Sequence, residues 1–185
     1  MDNSVFFRSL EELALSLGAY RASVIPVESV ETDESFRRLC EQNVCGNYGK
    51  NWACPPDAGG IIELIEQLRS YEFMLVYQLV GELEDSYDFE GMADAAKRFS
   101  GIVNRMRVLC KDEPFSRYLC LGAGGCTVCE VCARKTNEPC RHPDLMTPSL
   151  ETYGVNVSKL APAAGMKYIN GQNTVTYFGA VLFDL

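Results

Sequence analysis

The sequence predicts an α/β protein, with α+β as the alternative, built on a central sheet of about four strands with helices packed on it. The first observation behind this prediction is that apolar, β-branched segments alternate along the chain with segments of helical periodicity. The second is that two cysteine-rich loops each follow a regular element, so we expect both loops at one end of the sheet. The chain of 185 residues has the length of a single domain, which we expect to span residues 1–185.

The first predicted elements are a helix and a strand. Ser9 and Glu12 have the spacing of a capping box, and apolar residues recur at helical spacing until Gly18, which is a natural helix end. Residues 19–30 are rich in β-branched side chains and predict a strand. Because proline cannot donate a hydrogen bond to a neighbouring strand, Pro26 predicts a sheet edge or a bulge.

The next predicted elements surround the first cysteine-rich segment. Thr32 is a candidate cap for a short helix, and residues 45–56 read as a loop because they are rich in Gly, Asn and Pro. Asp57 or Gly59 is expected to open the following helix, and residues 73–80 form a continuous apolar run typical of a buried strand. The apolar face of the short helix would consist of Phe36, Leu39 and Cys40.

The second half of the chain repeats the alternation. A long apolar stripe predicts a helix over residues 88–110, and residues 118–121 predict a short strand. Thr147 followed by Pro148 has the pattern of a helix cap with proline in the first turn. Residues 174–183 predict the final strand.

Composition and charge exclude several classes of function. The formal net charge is −8, and no local basic patch interrupts it, so nucleic acid is not an expected partner. The apolar runs are too short to span a membrane, and the N-terminus lacks the pattern of a secretory signal. We therefore expect a cytoplasmic protein, in which nine cysteines favour metal binding over disulfide bonds.

The stronger chemical signal is a run of cysteines near residue 130. Three of them follow one another at three-residue steps and a fourth comes after a seven-residue spacer, which resembles the start of a bacterial ferredoxin cluster motif. A [4Fe–4S] cluster is the leading interpretation, and zinc or unligated thiols are the alternatives. We call these four residues the second cysteine set: Cys126, Cys129, Cys132 and Cys140.

A first cysteine set precedes it and consists of Cys40, Cys45 and Cys54. Three protein ligands would leave one coordination position open, as catalytic metal sites do. Cys110 or Cys120 is a candidate for the missing thiolate, although both sit in segments that predict core positions.

Two further residues are candidates for contacts with a cofactor. Gly125 directly precedes the second cysteine set, where a small residue lets the backbone approach the sulfur atoms. Arg141 follows Cys140, and its planar guanidinium suits a cluster sulfur, a substrate carboxylate or a surface salt bridge. His142 is the only histidine, and it is more typical of a residue that covers a cluster than of a ligand or an acid.

The combined motif resembles a family known only as predicted metal-binding proteins of unknown function. The resemblance rests on Cys54-Pro55-Pro56, on the second cysteine set with Gly125 before it and Arg141-His142-Pro143 after it, and on residues 149–157. It extends from about Cys40 to the final strand. It implies metal or iron–sulfur binding at the seven cysteines of both sets, and it implies no particular reaction.

These observations lead to a hypothesis about function. We expect a cytoplasmic iron–sulfur protein with one or two [4Fe–4S] clusters, in which the second cysteine set passes electrons. The first set would act on a small-molecule substrate at its open position, and a redox partner protein would exchange electrons with the chain. The alternative is a structural module, in which zinc staples the loops together and the surface recruits a partner protein.

Overall fold

The structure is a computed structural model that describes residues 3–185. Met1 and Asp2, with which the argument against a secretory signal begins, lie outside the described residues.

The centre of the molecule is a four-stranded sheet, as the sequence predicts. Its strands are β1 (Arg21–Pro26), β2 (Phe73–Glu82), β3 (Arg117–Leu121) and β4 (Thr174–Asp184), in the order β1-β2-β4-β3. All neighbouring pairs are antiparallel. Strand β1 lies at one edge and ends at Pro26, which confirms the predicted edge position. The antiparallel pairing makes the mixed architecture an α+β one.

Five α-helices accompany the sheet within the described residues. Their bounds are α1, Ser4–Ser16; α2, Phe36–Glu41; α3, Ile61–Arg69; α4, Phe89–Leu109; and α5, Val157–Ala163.

The two faces of the sheet bury separate cores because side chains alternate along each strand. On β2, Met74 and Val76 pack with residues of α3 and α5, whereas Leu75 and Tyr77 pack with residues of α1 and α4. The sheet is therefore sandwiched between two layers of helices. Each layer buries the apolar stripe that the sequence shows.

The predicted helix starts at Ser9 and at Thr147 are wrong. Helix α1 begins before Ser9, whose hydroxyl donates to the carbonyl of Phe6 at 2.7 Å from within the helix. The segment at Thr147 and Pro148 is not helical, because it lies beside the end of β3: the Gly122 amide donates to the Pro148 carbonyl at 2.8 Å. The Thr147 hydroxyl instead accepts a hydrogen bond from buried Arg107 at 2.7 Å.

Of the remaining predicted helix starts, the one at Asp88 is confirmed and those at Thr32 and Asp57 are wrong. Asp88 caps α4 by accepting a hydrogen bond from the Gly91 amide at 2.8 Å, at the predicted start of that helix. Thr32 is not a cap, since it forms a lone bridge with Val155. Asp57 does not open α3, whose capping position is Gly60, one residue after the alternative start at Gly59.

Each of the two cysteine-rich loops follows a regular element. The first cysteine loop (residues 45–56) follows α2, and the second (residues 126–140) follows β3 through a glycine-rich turn. None of the helices described has both the length and the apolar character that crossing a bilayer requires.

Candidate metal centre

The two cysteine loops contact each other directly. The Asn51 side-chain amide donates to the Cys126 carbonyl at 3.1 Å, and the Trp52 indole donates to the Glu138 carbonyl at 3.0 Å. Loops that lie more than seventy residues apart in sequence are therefore held side by side, which confirms the expectation that they approach each other.

An ion pair adds to these contacts. Arg134 of the second loop pairs with Asp57, just after the first loop, at 2.7 Å between Nε and Oδ2. The Arg134 guanidinium also lies over the Trp52 ring, 5.2 Å from its centroid. Because both charged side chains are largely buried, dissolved salt weakens this pair less than it would weaken a pair on the surface.

Close approach of the loops explains Gly125. A Cβ atom at this position would lie 3.0 Å from the Asn51 side-chain nitrogen and 3.1 Å from the Asn47 side chain. The buried Asn51 side chain is fixed as well, because its oxygen accepts the Ala53 amide at 3.1 Å. The glycine therefore serves the contact between loops. Its predicted contact with a cofactor stays a prediction.

Cys54 is the most enclosed thiol of the first set. It is 7% exposed, and burial together with neighbouring thiols raises its pKa to about 12. The neighbouring thiols are Cys45, Cys40, Cys126 and Cys132, in decreasing order of effect. Cysteines of both sets therefore lie near enough to Cys54 to disfavour its thiolate.

The remaining cysteines of the two sets differ in exposure. Cys40 is half-buried, and burial raises its pKa, while Cys45 is exposed. Cys129 and Cys140 are half-buried in the second loop, and neither is among the main influences on the pKa of Cys54. Within residues 3–185, no three Cys, His, Asp or Glu side chains stand close enough together to hold a metal ion. Metal binding at these thiols would therefore need their side chains to come closer together.

A solvent-open cavity of about 470 Å³ borders the first cysteine set. Cys40, Cys45 and Cys54 lie in its wall, and the predicted apolar face of α2 lines it instead of packing into a core. The rest of the wall comes from loop and turn residues: Val44, Asn47, Tyr48, Pro55, Gly124, Gly125, Ser149, Glu151 and Thr152. The size and apolar character are those of a small-molecule site.

Arg141 takes the surface salt bridge among its three predicted roles. Its guanidinium donates to the Val131 carbonyl at 3.0 Å and lies 3.7 Å from the Glu138 carboxylate. His142 is exposed next to it. A contact of Arg141 with a cofactor stays a prediction.

Cys110 and Cys120 lie in the core between α4 and the sheet. They are 2% and 7% exposed, and the hydrogen bond between them raises the pKa of Cys110 well above its usual range. This confirms their interpretation as core residues. It also argues against either one as the missing thiolate of the first set.

Sequence reasoning missed the residues that join the loops. Asn51 and Asp57 carry no motif, and their partners lie 75 and 77 residues away. The one available signal was Trp52, the only tryptophan of the chain, whose indole reaches the other loop.

The donor set at this place consists of thiols, which are the ligands that zinc and iron–sulfur clusters prefer, so the residues fit a thiolate-bound metal. No curated protein and no solved structure gives a significant match to the chain. A family model described as predicted metal-binding protein (DUF2284) matches residues 23–183, which include both cysteine sets and the whole sheet except the start of β1 and the last residue of β4. The chain therefore belongs to this family of predicted metal-binding proteins.

Proposed function

We propose that the protein binds iron–sulfur clusters through its two cysteine sets and acts as a redox protein. One observation carries the proposal: Cys54 lies at the wall of a cavity open to solvent, where thiols from both cysteine sets are near enough to raise its pKa. Family membership supports metal binding and leaves the metal open. The spacing of the second set, with three cysteines at three-residue steps, favours iron and sulfide over a single zinc ion.

The second cysteine set supplies four thiolates in this proposal, and when bound, an iron–sulfur cluster accepts and releases single electrons. The chain's contribution is to keep the loop in place. Asn51 holds the Cys126 backbone and Trp52 holds the Glu138 backbone. A loop that is fixed before an electron arrives needs less rearrangement when the charge changes.

The first cysteine set has three thiols and borders the cavity. Cys126 and Cys132 lie near enough to Cys54 to raise its pKa, so either is a candidate fourth thiolate for this set. The second set would then hold its metal through three thiolates. If neither binds, the open position faces the cavity. Phe36, Leu39 and Val44, which line the cavity, would then offer apolar contacts to a small substrate.

Metal analysis after anaerobic purification tests the proposal. We expect iron and acid-labile sulfide in equal amounts, at about four of each per cluster, and a brown colour. The double variant Cys129→Ser/Cys132→Ser should lose the cluster of the second set. Cys110→Ala, which removes a core thiol outside both sets, should keep its iron.

The zinc alternative gives a different result in the same experiment. One or two zinc ions per chain, without sulfide or colour, would contradict the redox proposal and support a zinc-stapled module that recruits a partner protein. If clusters are present, the electron paramagnetic resonance spectrum of the reduced protein counts them. A change on adding a candidate substrate would indicate binding at the open position.

A further inference from the structure

A second hollow lies between the two cysteine loops, apart from the cavity that borders Cys54. It has a volume of about 510 Å³ and is lined by Gly49 and Lys50 of the first loop and by Arg134, Lys135 and Asn137 of the second. Three of its five lining residues are basic and none is acidic. This is unusual in a chain with a formal net charge of −8.

The floor of the hollow is fixed by contacts of Arg134. The guanidinium is held by Asp57, by the Trp52 ring and by the side-chain oxygen of Asn137. Asn137 has a left-handed backbone conformation, and its amide donates to the Arg134 carbonyl at 3.1 Å. Because these groups bind one another, the position of the Arg134 guanidinium does not depend on a ligand.

The two lysines supply the uncompensated charge. Both are exposed, and within residues 3–185 neither has a salt bridge or a side-chain hydrogen bond. Lys50 is the only charged residue in the first cysteine loop. The Arg134 charge is offset by Asp57, so the hollow keeps the charge of the lysines, one from each loop.

We propose that this hollow binds a small oxyanion with two or more negative charges, such as a phosphoryl or dicarboxylate compound. A compact anion lets ammonium groups from both loops donate to it at once, which is the arrangement that charge-assisted hydrogen bonds favour. An acidic protein partner fits less well. It would need a far larger contact area, and the net negative charge of the chain would repel it.

An anion bound here would join the loops at a point between their cysteines. Lys50 lies between Cys45 and Cys54, and Lys135 lies between Cys132 and Cys140. If Cys126 or Cys132 completes the first set, a metal bound there would also join the loops, and each ligand should then strengthen the binding of the other. This coupling rests on the proposed function, whereas the anion site itself does not.

Isothermal titration calorimetry tests the site on the protein as purified, in a dilute zwitterionic buffer. The probes are inorganic phosphate, glycerol 3-phosphate and succinate, so that phosphoryl and dicarboxylate ligands are told apart. We expect at least one of them to bind, and Lys50→Gln/Lys135→Gln to weaken it by about tenfold or more. Lys159→Gln, which removes an exposed lysine on α5, should bind like the parent chain.

Three outcomes would overturn the inference. Unchanged binding by the double lysine variant would place the anion elsewhere, and no binding of any probe would remove the site. Binding of polyglutamate without any small anion would assign the lysines to a protein surface. None of these outcomes touches the iron and sulfide content, so the proposed function stands or falls separately.

Discussion

At the scale of single residues, burial makes the Cys54 thiol hard to deprotonate. Cys54 is enclosed and has other thiols around it, which together raise its pKa to about 12. Both effects disfavour the thiolate, because burial removes water from the charge and neighbouring thiolates repel it. A metal bound by Cys54 must therefore displace a tightly held proton.

The burial and raised pKa of Cys54 predict how the metal-free protein reacts with iodoacetamide. Only the thiolate is alkylated, so the rate at Cys54 should rise about tenfold per pH unit from pH 8 to pH 11. Exposed Cys45 should react well before it at pH 8. Peptide mass spectrometry at several labelling times gives both rates. Equal rates at pH 8 would mean that the first cysteine loop is open in solution.

Asn51 predicts how much a buried contact between the loops contributes to stability. Asn51→Leu removes the hydrogen bond to Cys126 and the one from Ala53, and should lower the free energy of unfolding by about 1–3 kcal/mol, since buried groups lose their partners. Trp52→Phe removes one exposed hydrogen bond and should cost well under about 1 kcal/mol, because water replaces Glu138. Urea unfolding of both variants checks this. A larger loss for Trp52→Phe would contradict the assignment.

At the scale of elements, the close packing of α4 on β2 depends on a glycine. A Cβ at Gly81 of β2 would lie 2.7 Å from the Cβ of Ala95 on α4 and 3.1 Å from a methyl of Val175 on β4. Neither neighbour is a flexible side-chain end. A larger residue would therefore push the helix away from the sheet.

A pair of alanine substitutions tests this packing. Gly81→Ala should destabilise the protein by about 1–3 kcal/mol through overpacking. Gly101→Ala, within α4 and with nothing within 4 Å of the added atom, should stabilise it by about 0.5–1 kcal/mol. Thermal unfolding gives both values. If the free energy of unfolding changed in the same direction in both variants, the effect of Gly81→Ala could not be assigned to the close packing of α4.

The strands could be predicted from the sequence because each has an apolar pattern that any sheet must bury, as the run over residues 73–80 shows. The helix at Thr147 could not be excluded, because the competing contact with Arg107 comes from 40 residues away. The spacing of the cysteines likewise indicated the candidate centre. It did not indicate that Asn51 and Asp57 would join the loops, since an isolated polar residue in a loop carries no signal about a distant partner.

At the scale of the whole molecule, the local charge beside the candidate centre is opposite in sign to the net charge of the chain. The chain as a whole is acidic, yet lysines from both loops stand together, and apolar residues line the neighbouring cavity. A site with this surrounding attracts anions locally while the rest of the surface repels them. The same part of the molecule thus combines thiols, a cavity and a positive hollow.

Alkaline pH should weaken the whole fold, because buried acids resist ionisation. Burial is the main cause that raises the pKa of Cys54 and of Tyr153 to about 12 each, in separate parts of the molecule. A raised pKa in the folded state means that the proton is held more tightly there than in the unfolded chain. The resulting stability is present below about pH 9 and is lost as the pH rises toward 12.

Urea unfolding of the reduced, metal-free protein between pH 8 and pH 11 measures this loss as a falling free energy of unfolding. Cys54→Ala/Tyr153→Phe should flatten the decline, because neither replacement can ionise. Tyr20→Phe, at a tyrosine that is 57% exposed, should leave the decline unchanged. A free energy that stays constant to pH 11 in the parent chain would mean that both groups ionise as easily folded as unfolded, which their burial argues against.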